Sequence, residues 1–120
     1  MSSTQGQRIE DNCKIIWGND CDYDIDLETD DWVEYACVVK KDFGLSFGPP
    51  LTMTSLCPSS EAAWSELDRM LELWAKQVKR GTPMTKDEKL KIFGGRKGEH
   101  QNLLSKCIDM FERIEGTKSD

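Results

Sequence analysis

Between Pro58 and Gly81 apolar residues return every three or four positions. Ala63, Leu67, Met70, Leu71, Trp74 and Val78 form one stripe, and Glu61, Glu66, Asp68, Glu72 and Lys76 fall off it. That period predicts an amphipathic helix over 59–80. Ser59 or Ser60 caps its first free N–H groups, Glu61 meets the positive end of the helix dipole, and Lys76, Lys79 and Arg80 meet the negative end. Gly81 is placed to take the left-handed residue after the last turn, and Pro83 prevents continuation. A capping box, Thr85 with Glu88, opens a short helix over 85–93, which Gly94 and Gly95 stop. Leu103, Leu104, Cys107, Ile108, Phe111 and Ile114 share one side of a third helix over 99–115, ended by Gly116.

Upstream of Pro58 the period changes to two. Asp20, Asp22, Asp24, Asp26 and Glu28 alternate with Cys21, Tyr23, Ile25 and Leu27, which puts acids on one face of a strand and apolar groups on the other. Aspartate is a poor strand former, and like charges on one face repel. The segment is therefore either an edge strand with its acids in water or an acidic arm that folds only on a partner. From 33 to 39 both alternating sets are largely apolar, as in a central strand. Lys40–Gly44 makes a turn, Leu45–Phe47 begins the return, Gly48–Pro50 interrupts it, and Leu51–Leu56 resumes it. These elements predict an α+β fold. A small antiparallel sheet of two to four strands in the N-terminal half is packed by the long helix and the C-terminal helix, with the short helix between them. The expected core holds Val33, Tyr35, Cys37, Val39, Leu67, Met70, Leu71, Trp74, Leu104, Ile108 and Phe111. Residues 1–12 read as a polar disordered tail, 13–116 as one domain in which 13–30 is the acidic strand or arm, and 117–120 as a frayed end.

Length fits one domain, and the charged fraction of 32% is high for a globular chain. No apolar run reaches membrane-spanning length, and the first residues show no apolar signal core, so an intracellular location, cytoplasmic or nuclear, is the expectation. The net charge of −6 is unevenly spread. Residues 10–34 carry ten acids and one base, whereas 76–97 carry eight bases and two acids. The overall sign disfavours non-specific nucleic-acid binding, and the basic segment suits an anionic partner or the acidic strand of the same chain.

Catalytic candidates are few. The odd count of five cysteines and the absence of CxxC argue against a disulfide framework or a zinc site. Cys37, Cys57 and Cys107 read as buried apolar residues, which leaves Cys13, Cys21 and the single histidine, His100, as the only enzyme candidates. A calcium loop would take Asp20, Asp22, Asp24 and Asp31, but Ile25 stands where its sharp turn needs glycine. Gly94–Gly98 with Arg96 and Lys97 lacks the length and the Ser or Thr of a phosphate loop and reads as a helix stop. No cofactor or metal is implied. Ile15, Ile16 and Trp17 before the acids have the form of a segment that adds to a partner's sheet. Trp64, one position off the long helix's stripe, reads first as a flank of the core and second as a binding anchor.

EAAWSELDRML, WAKQV, PMTKDEK and IFGG together resemble small uncharacterised proteins of filamentous fungi with a strand pair, a GP-containing turn and an EAAW helix. The resemblance spans about residues 32–115 and implies the fold class but no activity. The strand–strand–helix order is also similar to the second half of a double-stranded-RNA-binding domain. That family carries a lysine-rich run where this chain has SSEAAW, and the helix before the strands is missing from the pattern.

The resulting expectation is a non-enzymatic module for binding another protein, with a homodimer as one arrangement it allows. Asp20, Asp22, Asp24, Asp26, Trp17, Trp64, Lys86, Lys89, Arg96 and Lys97 are the candidate contact residues. RNA binding is the runner-up, through Lys86, Lys89, Arg96 and Lys97, and a small enzyme without a recognisable motif is the third reading.

Overall fold

The computed structural model describes residues 3–31, 33–95, 98 and 101–118, without the side chains of 3, 30 and 111–118. The chain is α+β, in the order α1 (Ser3–Trp17), β1 (Asp22–Asp30), β2 (Glu34–Asp42), β3 (Phe47–Met53), α2 (Ser60–Arg80), α3 (Lys86–Phe93) and α4 (Gln101–Lys118). It forms two compact units, Met1–Thr82 and Pro83–Asp120.

The first correction concerns the N-terminus. Where a disordered tail was expected over 1–12, the chain is helical from Ser3, and Ile9 and Cys13 are fully buried. Ile9, Cys13, Ile16 and Trp17 stand at helical spacing, but polar residues and a glycine surround them, so the stripe is thin. Tertiary packing holds this helix, because Ile9 and Cys13 enter the core and Ile16 and Trp17 pack against it. Gly18 follows at a φ of 102°, and its carbonyl accepts a hydrogen bond of 2.5 Å from the Tyr23 hydroxyl. A residue with a side chain would be strained at that φ, so glycine is what lets α1 turn directly into β1.

The sheet is antiparallel with strand order β1-β2-β3. β1 is an ordered edge strand, the first of the two forms its alternation allows, paired to β2 from Asp22↔Asp42 to Asp30↔Glu34. β3 is the opposite edge, and there Pro49 and Pro50 fit because an edge strand has one side free of ladder bonds. Two register shifts against β2 accompany them. Beyond β3 the pairing resumes: Tyr35 and Cys57 exchange backbone bonds of 2.8 and 2.7 Å. The buried Thr54 hydroxyl accepts from the Cys37 N–H at 3.0 Å and donates to the Ser55 carbonyl, which satisfies both groups inside the core.

α2 begins and ends as its sequence predicts. Ser59 accepts from the Ala62 N–H at 3.1 Å, and Gly81, at a φ of 73°, donates to the Val78 carbonyl. Leu67 and Leu71 pack with Ile9 and Cys13 of α1 and with Cys37 and Val39 of β2, so both helices cover one face of the sheet. Arg8 binds Asp68 through two nitrogens and ties α1 to α2. Three members of the expected core differ. Val33 lies in the β1–β2 turn and is 68% exposed, while Trp74 and Tyr35 are only partly buried against the core. In the second unit α3 packs with α4; Ile92 and Ile108 are buried, Leu104 is half-buried, and Phe111 falls outside the described side chains. The Thr85–Glu88 capping box is present, and α4 continues past Gly116 to Lys118 rather than ending there.

Candidate interaction face

The ladder register decides what the other face of the sheet carries. Residues directly opposite in an antiparallel pair point the same way. Asp24↔Lys40, Asp26↔Val38 and Glu28↔Ala36 therefore share the face away from the helices, and Val38↔Met53, Lys40↔Pro50 and Asp42↔Phe47 extend it onto β3. The result is three columns. β1 supplies Asp22, Asp24, Asp26 and Glu28. β2 supplies Ala36, Val38, Lys40 and Asp42, and β3 supplies Phe47, Pro50 and Met53. Ala36 and Val38 are buried, low between their neighbours, while Phe47 and Met53 are 59% and 54% exposed. Phe43 and Leu45, in the β2–β3 turn, continue the exposed apolar edge.

The acidic column is only partly neutralised by its own chain. Lys40 pairs with Asp26 at 2.5 Å, and Lys41 lies 3.9 Å from Asp20. Lys40 also sits 5.8 Å from the centre of the Phe47 ring. The bond from Lys40 holds the Asp26 carboxyl below its ordinary value, despite some loss of solvent. Asp24 goes the other way: desolvation, then the hydrogen bond and the charge of Asp26, raise it. The linkage signs are opposite. A depressed Asp26 contributes stability above its unfolded value and loses it as pH falls through the folded one. A raised Asp24 weakens the fold while it is charged, and the penalty disappears as pH falls through its raised value. Asp24→Asn should therefore stabilise the first unit at pH 7 by about 0.2–1 kcal/mol, and Asp26→Asn should destabilise it. Urea midpoints at pH 7 and pH 3 would check this, with both differences shrinking at pH 3. Equal signs for the two variants at pH 7 would refute it.

The remaining candidates are dispersed. Trp17 ends a helix rather than a free strand, in edge contact with Trp74 at 5.0 Å and tilted against Tyr23 at 6.1 Å, so it is part of the packing. Trp64 is half-buried beside the core cluster, as the first of its two readings had it. Asp20 precedes β1 and is exposed. Lys86 and Lys89 lie on α3 in the second unit, where Lys86 pairs with Asp109 at 2.9 Å. The ion-pair partners found for the acidic strand thus come from β2. Arg96, Lys97 and His100 are outside the described residues. Asp22 and Asp24 stand on an extended strand, which spreads the would-be calcium ligands, and among the described residues no three His, Cys, Asp or Glu are grouped to hold a metal ion.

The thiols divide by burial. Cys13 and Cys37 are fully buried, and desolvation pushes both up to about 12. Cys57 is buried, whereas Cys107, expected inside, is exposed on α4. Cys21 borders a cleft of about 530 Å³ with Asp20, Asp22 and Asp42, the reverse of the electropositive setting in which nucleophilic cysteines sit. Ellman's reagent at pH 8 should therefore label Cys107 first and reach Cys13 and Cys37 only on unfolding. Fast native labelling of Cys13 would contradict the packing of α1.

The exposed apolar column on β3 escaped the sequence reading, since only the register reveals that Phe47 and Met53 flank the acids. α1 also supplies the helix that the double-stranded-RNA-binding pattern lacked, ahead of the strands and on the same sheet face as α2. The start of α2 still reads SSEAAW, without the lysine-rich run of that family. Comparison with protein-family models, with curated proteins and with solved structures gave no match to this chain.

Proposed function

We propose that this chain is a non-enzymatic protein-interaction module that uses the face of its sheet opposite α1 and α2. The observation that carries the reading is the juxtaposition on that face of an acidic column and an exposed apolar column. Large exposed apolar groups beside organised charge mark interaction surfaces rather than ordinary solvent-facing sheet. The clefts argue against catalysis. One of about 750 Å³ runs along α1 past Gln7, Arg8, Asp11 and Lys79, but Arg8 is engaged by Asp68 and Asp11 by Gln7. A homodimer through the sheet face is disfavoured by charge, because two-fold packing sets acids against acids or against apolar groups. The basic residues Lys86 and Lys89 offer a separate contact in the second unit.

A photo-crosslinking residue at Met53, compared with one at the exposed Lys76 on α2, tests the reading in the native cell. A discrete adduct at Met53 that disappears in an Asp24→Lys, Asp26→Lys background, with none at Lys76, is the expected result. Identical adducts at both positions, or no adduct at Met53, would refute it.

A further inference from the structure

Resting on that interaction reading, we infer that the occupant of the sheet face is an amphipathic helix. It carries Lys or Arg along one flank and large apolar side chains along the other, and lies along the strands. The dimensions select a helix. Adjacent strands are about 4.8 Å apart, so the β1 and β3 columns stand about 10 Å apart, the width of a helix with its side chains. The middle column is low where Ala36 and Val38 lie, which leaves a trough for the helix axis between Asp26 and Glu28 on one side and Met53 on the other, with Phe47 farther along, past Lys40. Along the strand, alternate residues repeat every ~6.7 Å, close to the ~6 Å rise between residues four apart on a helix, so three or four cations can follow the acids. An extended segment along one column would miss the other.

Charge fixes the orientation. Asp22, Asp24, Asp26 and Glu28 form the β1 side, with Lys40 at one end of the trough already bound to Asp26 and Asp42 beyond it. The apolar flank then covers Phe47 and Met53, groups that gain by leaving water. A nucleic acid is excluded by the same acids, since its phosphates would meet them.

The experiment is a two-dimensional NMR titration of the full chain with three synthetic helical peptides of about 18 residues, long enough to span the strands. One has a Lys flank and a Leu flank, one replaces Lys by Glu, and one replaces Leu by Gln. The Lys/Leu peptide should shift amides of β1, β2 and β3 and bind at least about tenfold more tightly than either control. Its affinity should weaken as salt rises. Asp24→Lys, Asp26→Lys and Glu28→Lys together should reverse the preference toward the Glu/Leu peptide, a gain that an unfolded variant could not show. Equal binding of the Lys/Leu and Lys/Gln peptides would overturn the proposal, as would shifts confined to other elements or no binding at millimolar peptide. Self-association that perturbs the same amides would replace the helix by a second copy and overturn it too. If the Met53 adduct persists while no peptide binds, the partner is not a basic helix but the module reading stands. If the peptide binds and no adduct forms, the face can hold a basic helix, but the module reading falls and takes with it the inference that rests on it.

Discussion

Leu67→Ala should lower the stability of the first unit by about 2–5 kcal/mol, because it leaves a cavity that fixed neighbours cannot fill. Leu67 is fully buried midway along α2, among Ile9, Cys37, Val39 and Leu71, which come from α1, β2 and α2 itself. Three elements meet at this side chain, so no single rotamer change closes the space. Val78 stands on the same helical stripe but near its end, where it is 37% exposed. Val78→Ala should cost no more than about 0.5 kcal/mol. Urea denaturation of both variants checks the pair. A loss below about 1 kcal/mol for Leu67→Ala would place the stripe at the surface and undo the packing of α2 on the sheet.

The contrast between these positions shows what periodicity could and could not supply. The long helix, its caps at Ser59 and Gly81, the capping box at Thr85 and the central character of β2 follow from short-range rules, and each was legible. A helix stripe names a face but does not say where along its length the cover stops, so Val78 looked equivalent to Leu67. α1 was missed for the opposite reason. Its apolar residues are few, and its own propensity is too weak to announce a helix that the core stabilises.

For the interaction face, the acidic column was visible from the alternation of 20–28 alone. Its counterpart was not. Phe47 and Met53 are separated from the acids by an interrupted strand, and the two register shifts around Lys40 decide which side of the sheet they take. A shift by one residue would have turned them into the core and left a purely acidic surface. Within the sheet, Lys40 and Lys41 on the adjacent strand stand within reach of Asp26 and Asp20, and the ladder itself fixes the backbone of β1. Exposed pairs of this kind contribute little, because solvent and salt screen them. What holds β1 is its ladder, with Tyr23 and Ile25 packed against the core.

The N-terminal helix yields the other large effect. Ile9→Ala should cost about 2–5 kcal/mol, and deletion of residues 1–12 should cost more, because it also uncovers Leu67 and Leu71. A domain with about 5–15 kcal/mol of total stability would then stand close to unfolding. Arg8→Ala separates packing from charge. The Arg8–Asp68 pair is partly exposed, with 44% of the Arg8 side chain open to solvent, so its loss should move the midpoint far less than Ile9→Ala does. The measurement is the urea midpoint of each variant, with native amide exchange read along β2 and α2. A deletion that leaves both the midpoint and the exchange of Val39 and Leu71 as in the full chain would return residues 1–12 to the status of a tail. The expected outcome is faster exchange at both positions together, since α1 is the layer that closes the core over them.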